Sequence, residues 1–127
     1  MRLPVLPMLM LLATPAAAHH SLTGYDQSRR VTFDGVVTEF SFTNPHPILT
    51  IAVGAERWRL EMDNLWELAD IGLTRDSFKP SDRVKVSGSP DRNGGKSMYL
   101  WSLDRTSDGL HYEQVGSRPS VRKAPKS

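Results

Sequence analysis

The sequence predicts a mainly β protein: a small five- to six-stranded OB-like Greek-key barrel with one short helix between strands three and four. Three observations carry that expectation. Apolar residues alternate with period two through several short segments, most cleanly Trp58, Leu60 and Met62 within Arg57–Met62. A helical pattern of comparable clarity appears once, directly after that third segment, where Leu65, Trp66, Leu68 and Ala69 lie close together in sequence. Turn residues then separate two further β-rich segments, giving the order β-β-β-α-β-β of a five-stranded Greek-key barrel. The chain has 127 residues, and its expected mature part is long enough for one domain with its own core.

The elements follow in order. Met1-Arg2 gives a positive start, Leu3–Leu12 is apolar, and Ala16-Ala17-Ala18 supplies small residues, the pattern of a secretory signal cut after Ala18. The apolar run is short for a ~20-residue span and holds Pro4 and Pro7. Residues 19–29 read as a polar extended arm, and 30–115 as the barrel. The first strand, Arg30–Phe42, shifts its apolar phase by one residue, read as a bulge at Gly35. Asn44-Pro45-His46-Pro47 interrupts it, since neither proline donates to a ladder. Ile48–Val53 and Arg57–Met62 are the next strands, and Asp63 or Asn64 caps the helix that Gly72 ends. Arg83–Ser87 and Ser97–Leu103 are strands four and five, joined by the hairpin loop Asp91–Lys96, and Leu110–Val115 adds a short edge strand. Residues 116–127, rich in Pro, Ser, Lys and Arg, read as a disordered basic tail.

Composition excludes several chemistries. With no cysteine, disulfides, zinc–thiolate sites, iron–sulfur clusters and thiol catalysis are ruled out. From His19 to Ser117 the chain carries 11 basic and 14 acidic side chains, so the high isoelectric point comes from Arg118, Arg122, Lys123 and Lys126. That balance does not make a nucleic-acid-binding surface. A Gly-x-Ser-x-Gly nucleophile elbow is absent, and Ser21 beside His20 is adjacency rather than a triad. Trp58, Trp66 and Trp101 each fall on an apolar face and read as core.

Histidine placement is the most informative feature. Cleavage after Ala18 would leave His19 with a free α-amine beside its own imidazole, a nitrogen chelate suited to Cu(II). His20 and His46 are the supporting ligands. An eleven-residue arm can extend ~36 Å, close to the ~40 Å of the first strand, so it can run back beside that strand and bring His19 or His20 to His46. The alternative reading of His46 is a turn histidine donating to a backbone carbonyl. Asn44, Arg92 and Lys96, in the strand-one/two and strand-four/five connections, are the ligand-binding candidates, because these loops face ligands in OB barrels. Asp26 is a further oxygen donor or a local cap.

Several motifs together resemble one known group. They are Ala17-Ala18-His19-His20-Ser21, Tyr25-Asp26, Gly35-Val36-Val37, Asn44-Pro45-His46, Trp58-Arg59-Leu60-Glu61, Gly72-Leu73-Thr74-Arg75-Asp76 and Pro80–Gly88. The chain is similar to exported bacterial proteins of domain-of-unknown-function family six-one-five-two, although Pro47 stands where that family commonly continues Ala-Trp. The resemblance implies export and a small β-rich domain.

The expectation is thus an exported small binding protein, periplasmic or secreted, without a catalytic constellation. In one reading it binds copper through its processed histidines and takes part in metal handling. In the other it is a metal-free OB-like module that binds a protein or envelope ligand. Neither involves nucleic acid or a membrane span after signal removal.

Overall fold

The structure, a computed structural model, describes residues 20–125. The expected signal, His19 and the last two residues lie outside the described residues. The elements are α1 (His20–Thr23), β1 (Val31–Ser41), β2 (Ile48–Val53), β3 (Glu56–Glu61), α2 (Leu65–Asp70), β4 (Arg83–Pro90), β5 (Ser97–Arg105), β6 (Leu110–Val115) and β7 (Arg118–Arg122).

Five strands close into the predicted OB-like barrel. β1 pairs antiparallel with β2 and with β4, β2 with β3, and β4 with β5. Closure comes from a short parallel ladder of β3 on β5, with Arg59, Leu60 and Glu61 opposite Ser97, Met98 and Tyr99. A parallel pair needs a long crossover, and α2 with β4 supplies it. Inside, Leu49, Ile51, Leu60, Val86, Met98, Leu100 and Leu103 are completely buried, the inward half of the period-two pattern.

Both long strands exchange partners along their length. β1 pairs with β4 through Val36 and with β2 from Val36 onward. β5 pairs with β3 up to Tyr99 and with β6 from Ser102. The phase slip expected at Gly35 falls later, between Val37 and Glu39. Val31, Phe33 and Val37 face inward, whereas Val36 faces out. Gly35 is required for another reason: a Cβ there would lie 2.8 Å from Ile51 Cδ1 and 2.9 Å from the Ala52 carbonyl oxygen, so the position needs absence of a side chain rather than a bulge.

Three other expectations need correction. The arm is not extended, because it forms α1, turns at Gly24 and joins Tyr25 to Asp91 in a β-bridge. The tail is not disordered from residue 116: Gly116 turns at a φ of 58°, and Arg118–Arg122 pairs with β6, which is therefore not an edge strand. Pro and Arg content hid this strand, but Pro is compatible with an edge position, and here Pro119 is buried while Ser120 is exposed. Finally, Trp66 is not core, being 75% exposed. Two residues along a helix rotate by ~200°, so buried Leu68 places Trp66 on the opposite side. The N-cap is Asn64, which accepts the Glu67 amide at 2.9 Å.

Arg105 ties the barrel to its connecting loops. Its Nη1 donates to the Ser77 carbonyl at 2.7 Å and to Asp82 at 2.8 Å, and its Nε and Nη2 grip both Asp108 oxygens at 3.0 and 2.8 Å. The guanidinium also lies over the Phe78 ring. These hydrogen bonds hold the Asp108 carboxyl down from its ordinary 3.8 to about 2.

Two predictions follow from this packing. Asp108 contributes stability that is fully present above pH ~4 and is lost as pH falls toward 2. Urea midpoints measured across that window should fall more steeply for the wild type than for Asp108→Asn. Second, a Cβ at Gly88 would meet the Tyr99 carbonyl oxygen, and would lie 3.0 Å from Met98 Cγ. Gly88→Ala should therefore lower unfolding free energy by about 1–3 kcal/mol. Gly24→Ala, with nothing within 4 Å, should change it by no more than ~0.5 kcal/mol.

Candidate functional site

The β1–β2 connection holds His46 rigidly. Its Nδ1 lies 2.9 Å from the Met62 carbonyl oxygen, and a carbonyl only accepts, so Nδ1 is the donor, and in the neutral ring Nε2 is the nitrogen with the free lone pair. The backbone around it is pinned to the same segment: the Met62 amide donates to the Pro47 carbonyl at 3.0 Å and the Leu65 amide to the Pro45 carbonyl at 3.1 Å. His46 is thus a turn histidine donating to a carbonyl, as the alternative reading had it. The same bond is the one that fixes an imidazole for ligation through its other nitrogen. Asn44 is exposed in the same connection.

The N-terminal segment forms a strap on the outer face of the barrel. Tyr25 is 7% exposed, with its ring 6.1 Å from that of Tyr99 and its hydroxyl toward the Glu61 carboxylate. Burial, then that carboxylate, raise the Tyr25 phenol well above its ordinary value. Backbone bonds hold the strap to the β4–β5 hairpin: the Asp26 amide donates to Pro90 at 2.8 Å, and the Arg92 amide to Gly24 at 3.0 Å. Beyond Tyr99 the layer continues through Trp101, at 4.9 Å between rings, and Arg30, 4.6 Å over the Trp101 ring. Ser89 accepts from both Arg30 Nη1 and Trp101 Nε1 at 2.7 Å.

The strap therefore runs along the β4–β5 hairpin rather than back beside strand one. Only its Tyr25 hydroxyl reaches toward Glu61, the residue before Met62, while Thr23 and Gly24 are held at Arg92 in the hairpin. His20 opens α1, while His19 is outside the described residues. Among the described residues no group of three histidine or acidic side chains is close enough to hold a metal ion.

Arg92 and Lys96 take other roles. Arg92 Nε donates to the Thr23 carbonyl at 2.9 Å, clamping the strap. Lys96 lies 3.2 Å from Glu56 at the start of β3, whereas His46 is bound to Met62 just past its end, a separation of ~20 Å by strand rise. The structure does not bring Lys96 and His46 together. Asp26 is a local cap, accepting the Ser28 amide at 3.1 Å and hydroxyl at 2.6 Å.

Sequence reasoning missed Tyr25 as the anchor of the strap. Its signal was present, since an aromatic isolated in a polar segment needs a surface to bury against, but the receiving Tyr99 is distant in sequence. The gap where β5 exchanges β3 for β6 was also invisible. A buried polar chain fills it: Tyr112 donates to Gln114 Oε1 at 2.9 Å, and Gln114 Nε2 donates to Asp63 at 2.8 Å.

Fold and site define a small OB-like β-barrel with a strapped N-terminal segment. The chain belongs to a family of unknown function (DUF6152), whose model matches residues 8–99. That span takes in the strap, β1 to β4 and the part of β5 that closes the barrel, and it ends before β6 and β7. No curated protein matches this chain. Among the described residues, no helix is long and apolar enough to cross a membrane.

The anchoring role of Tyr25 is open to measurement. Tyr25→Ala should speed hydrogen exchange at the Asp26 and Arg92 amides by at least about tenfold while core amides such as Leu60 keep their protection, because local opening costs less than global unfolding. Equal acceleration throughout would show that the strap is part of the barrel's cooperative unit.

Proposed function

We propose that the protein is an exported, non-enzymatic binding protein that holds Cu(II) at its processed N-terminus and takes part in metal handling in the periplasm or outside the cell. His19 is the chelator, through its α-amine and imidazole, with His20 and His46 as supporting ligands. The observation that carries this reading is the fixed His46 tautomer. Its Nδ1 is committed to Met62, so Nε2 is the nitrogen left to ligate, with its direction set by that bond. The strap bears on the same reading through Tyr25 alone, whose hydroxyl faces Glu61, one residue before Met62. Nitrogen ligands in a planar set suit Cu(II).

One observation favours a second reading, a metal-free OB-like module that binds a protein or envelope ligand. Trp66 is 75% exposed and adjoins Leu65, whose amide is bonded to the Pro45 carbonyl beside His46. An exposed tryptophan next to the β1–β2 connection is a ready contact for a partner.

A Cu(II) competition titration on protein verified to begin at His19 distinguishes them. The copper reading predicts one tight equivalent, weakened at least about tenfold by His46→Ala and weakened further by a single residue added ahead of His19. Weak binding indifferent to both changes would overturn it and leave the module reading.

A further inference from the structure

A cleft of about 680 Å³ opens on the outer surface over β1, lined by Asp34, Val36, Ala52, Arg83, Lys85 and Asp104. It lies where β1 exchanges β2 for β4, and Val36 is the residue paired with both Ala52 and Arg83. The corresponding exchange along β5 is filled by the Tyr112–Gln114–Asp63 chain, whereas this one is open. Its volume falls in the ordinary range for small-ligand sites.

Register sets the charges in two rows. Asp34, Lys85 and Asp104 are direct cross-strand neighbours, a row of formal charge −1. Arg83 stands two residues from Lys85 on the same strand, beside apolar Val36 and Ala52. Among the described residues Asp34, Arg83 and Lys85 make no ion pair within 4.0 Å, and only Asp104 is engaged, by His111 Nδ1 at 2.6 Å. The cleft is thus bipolar and neutral in sum, with its cation unspent at one end and its excess carboxylate at the other.

We propose that this cleft is a binding site for a small amphoteric molecule, with the carboxylate on Arg83, the ammonium at Asp34 and Asp104, and a short apolar group over Val36 and Ala52. A guanidinium takes a carboxylate through two parallel hydrogen bonds. The rows are two residues apart along a strand, ~6.6 Å, which selects the ligand. Two residues of extended peptide span a similar distance, while the charges of a free amino acid flank one carbon and are too close together. The ligand class is therefore a short peptide or its isostere. The site is independent of His19, His20 and His46, so it stands or falls separately from the copper reading.

An amide NMR titration of the full protein with L-alanyl-L-alanine tests it. Saturable shifts are expected at Gly35, Val36, Val84 and Lys85. Affinity should fall at least about tenfold in Arg83→Gln yet be retained or raised in Lys85→Gln, which leaves the acidic end more negative. Both positions are exposed, and each variant's own spectrum reports its fold. N-acetylated dipeptide, dipeptide amide and free L-alanine should each bind more weakly than the dipeptide. The proposal is overturned by an absence of saturable shifts, by equal losses in the two variants, or by any of the three comparison ligands matching the dipeptide.

Discussion

The short parallel ladder between β3 and β5 is the constraint on which the rest of the molecule depends. Without it the sheet would be an open ribbon, with β3 an exposed edge. With it, five strands become a closed wall around one core. Only Arg59, Leu60 and Glu61 take part on the β3 side, and the surroundings reinforce so short a seam. The Arg59 amide donates to Lys96 at its start, Lys96 reaches Glu56, and Gly88 lets β4 approach β5 where a side chain would collide with Tyr99. The strap then lies over Tyr99 and Glu61, the last residue pair of the ladder.

That placement links architecture to the proposed site. The end of β3 receives two segments that are remote in sequence: the strap through Tyr25 and Glu61, and the β1–β2 connection through Met62 and His46. Neither segment is held by charge alone. Tyr25 is held by burial and by backbone bonds to Pro90 and Arg92, and His46 by a backbone carbonyl, so both anchors resist salt better than surface ion pairs would. Arg105 does similar work at another point of the barrel, collecting the loops of Ser77, Asp82 and Asp108 around one guanidinium.

Much of the barrel was legible because its signals are local. Ile48–Val53 was bounded correctly by Pro47 and Gly54, the third strand was found by its alternation though one residue late at each end, and the helix was set by Asn64 and Gly72. The Asp91–Lys96 turn declared itself through Asn-Gly-Gly. What could not be read depended on register or on partners far away. Gly35 looks like a bulge in sequence, but its need is steric and comes from Ile51. Trp66 looks like core until Leu68 fixes the rotation of α2. β7 was masked by its arginines and proline, which are the features that protect an edge strand. The candidate site was legible to the same degree: His46 and its carbonyl bond were anticipated, whereas the docking of the strap and the bipolar cleft needed the pairing of Tyr25 with Asp91 and of Lys85 with both aspartates.

The central proposal is that the processed N-terminus reaches the His46 connection and shares one metal ion with it. Paramagnetic broadening by a single equivalent of Cu(II), recorded on amide spectra of protein beginning at His19, tests it most directly. The account predicts that two sequence-distant sets of signals fade together, those of residues 20–26 and those of 44–47 with Met62. Fading confined to the first set would contradict it, because the ion would then sit on the terminus alone, away from His46.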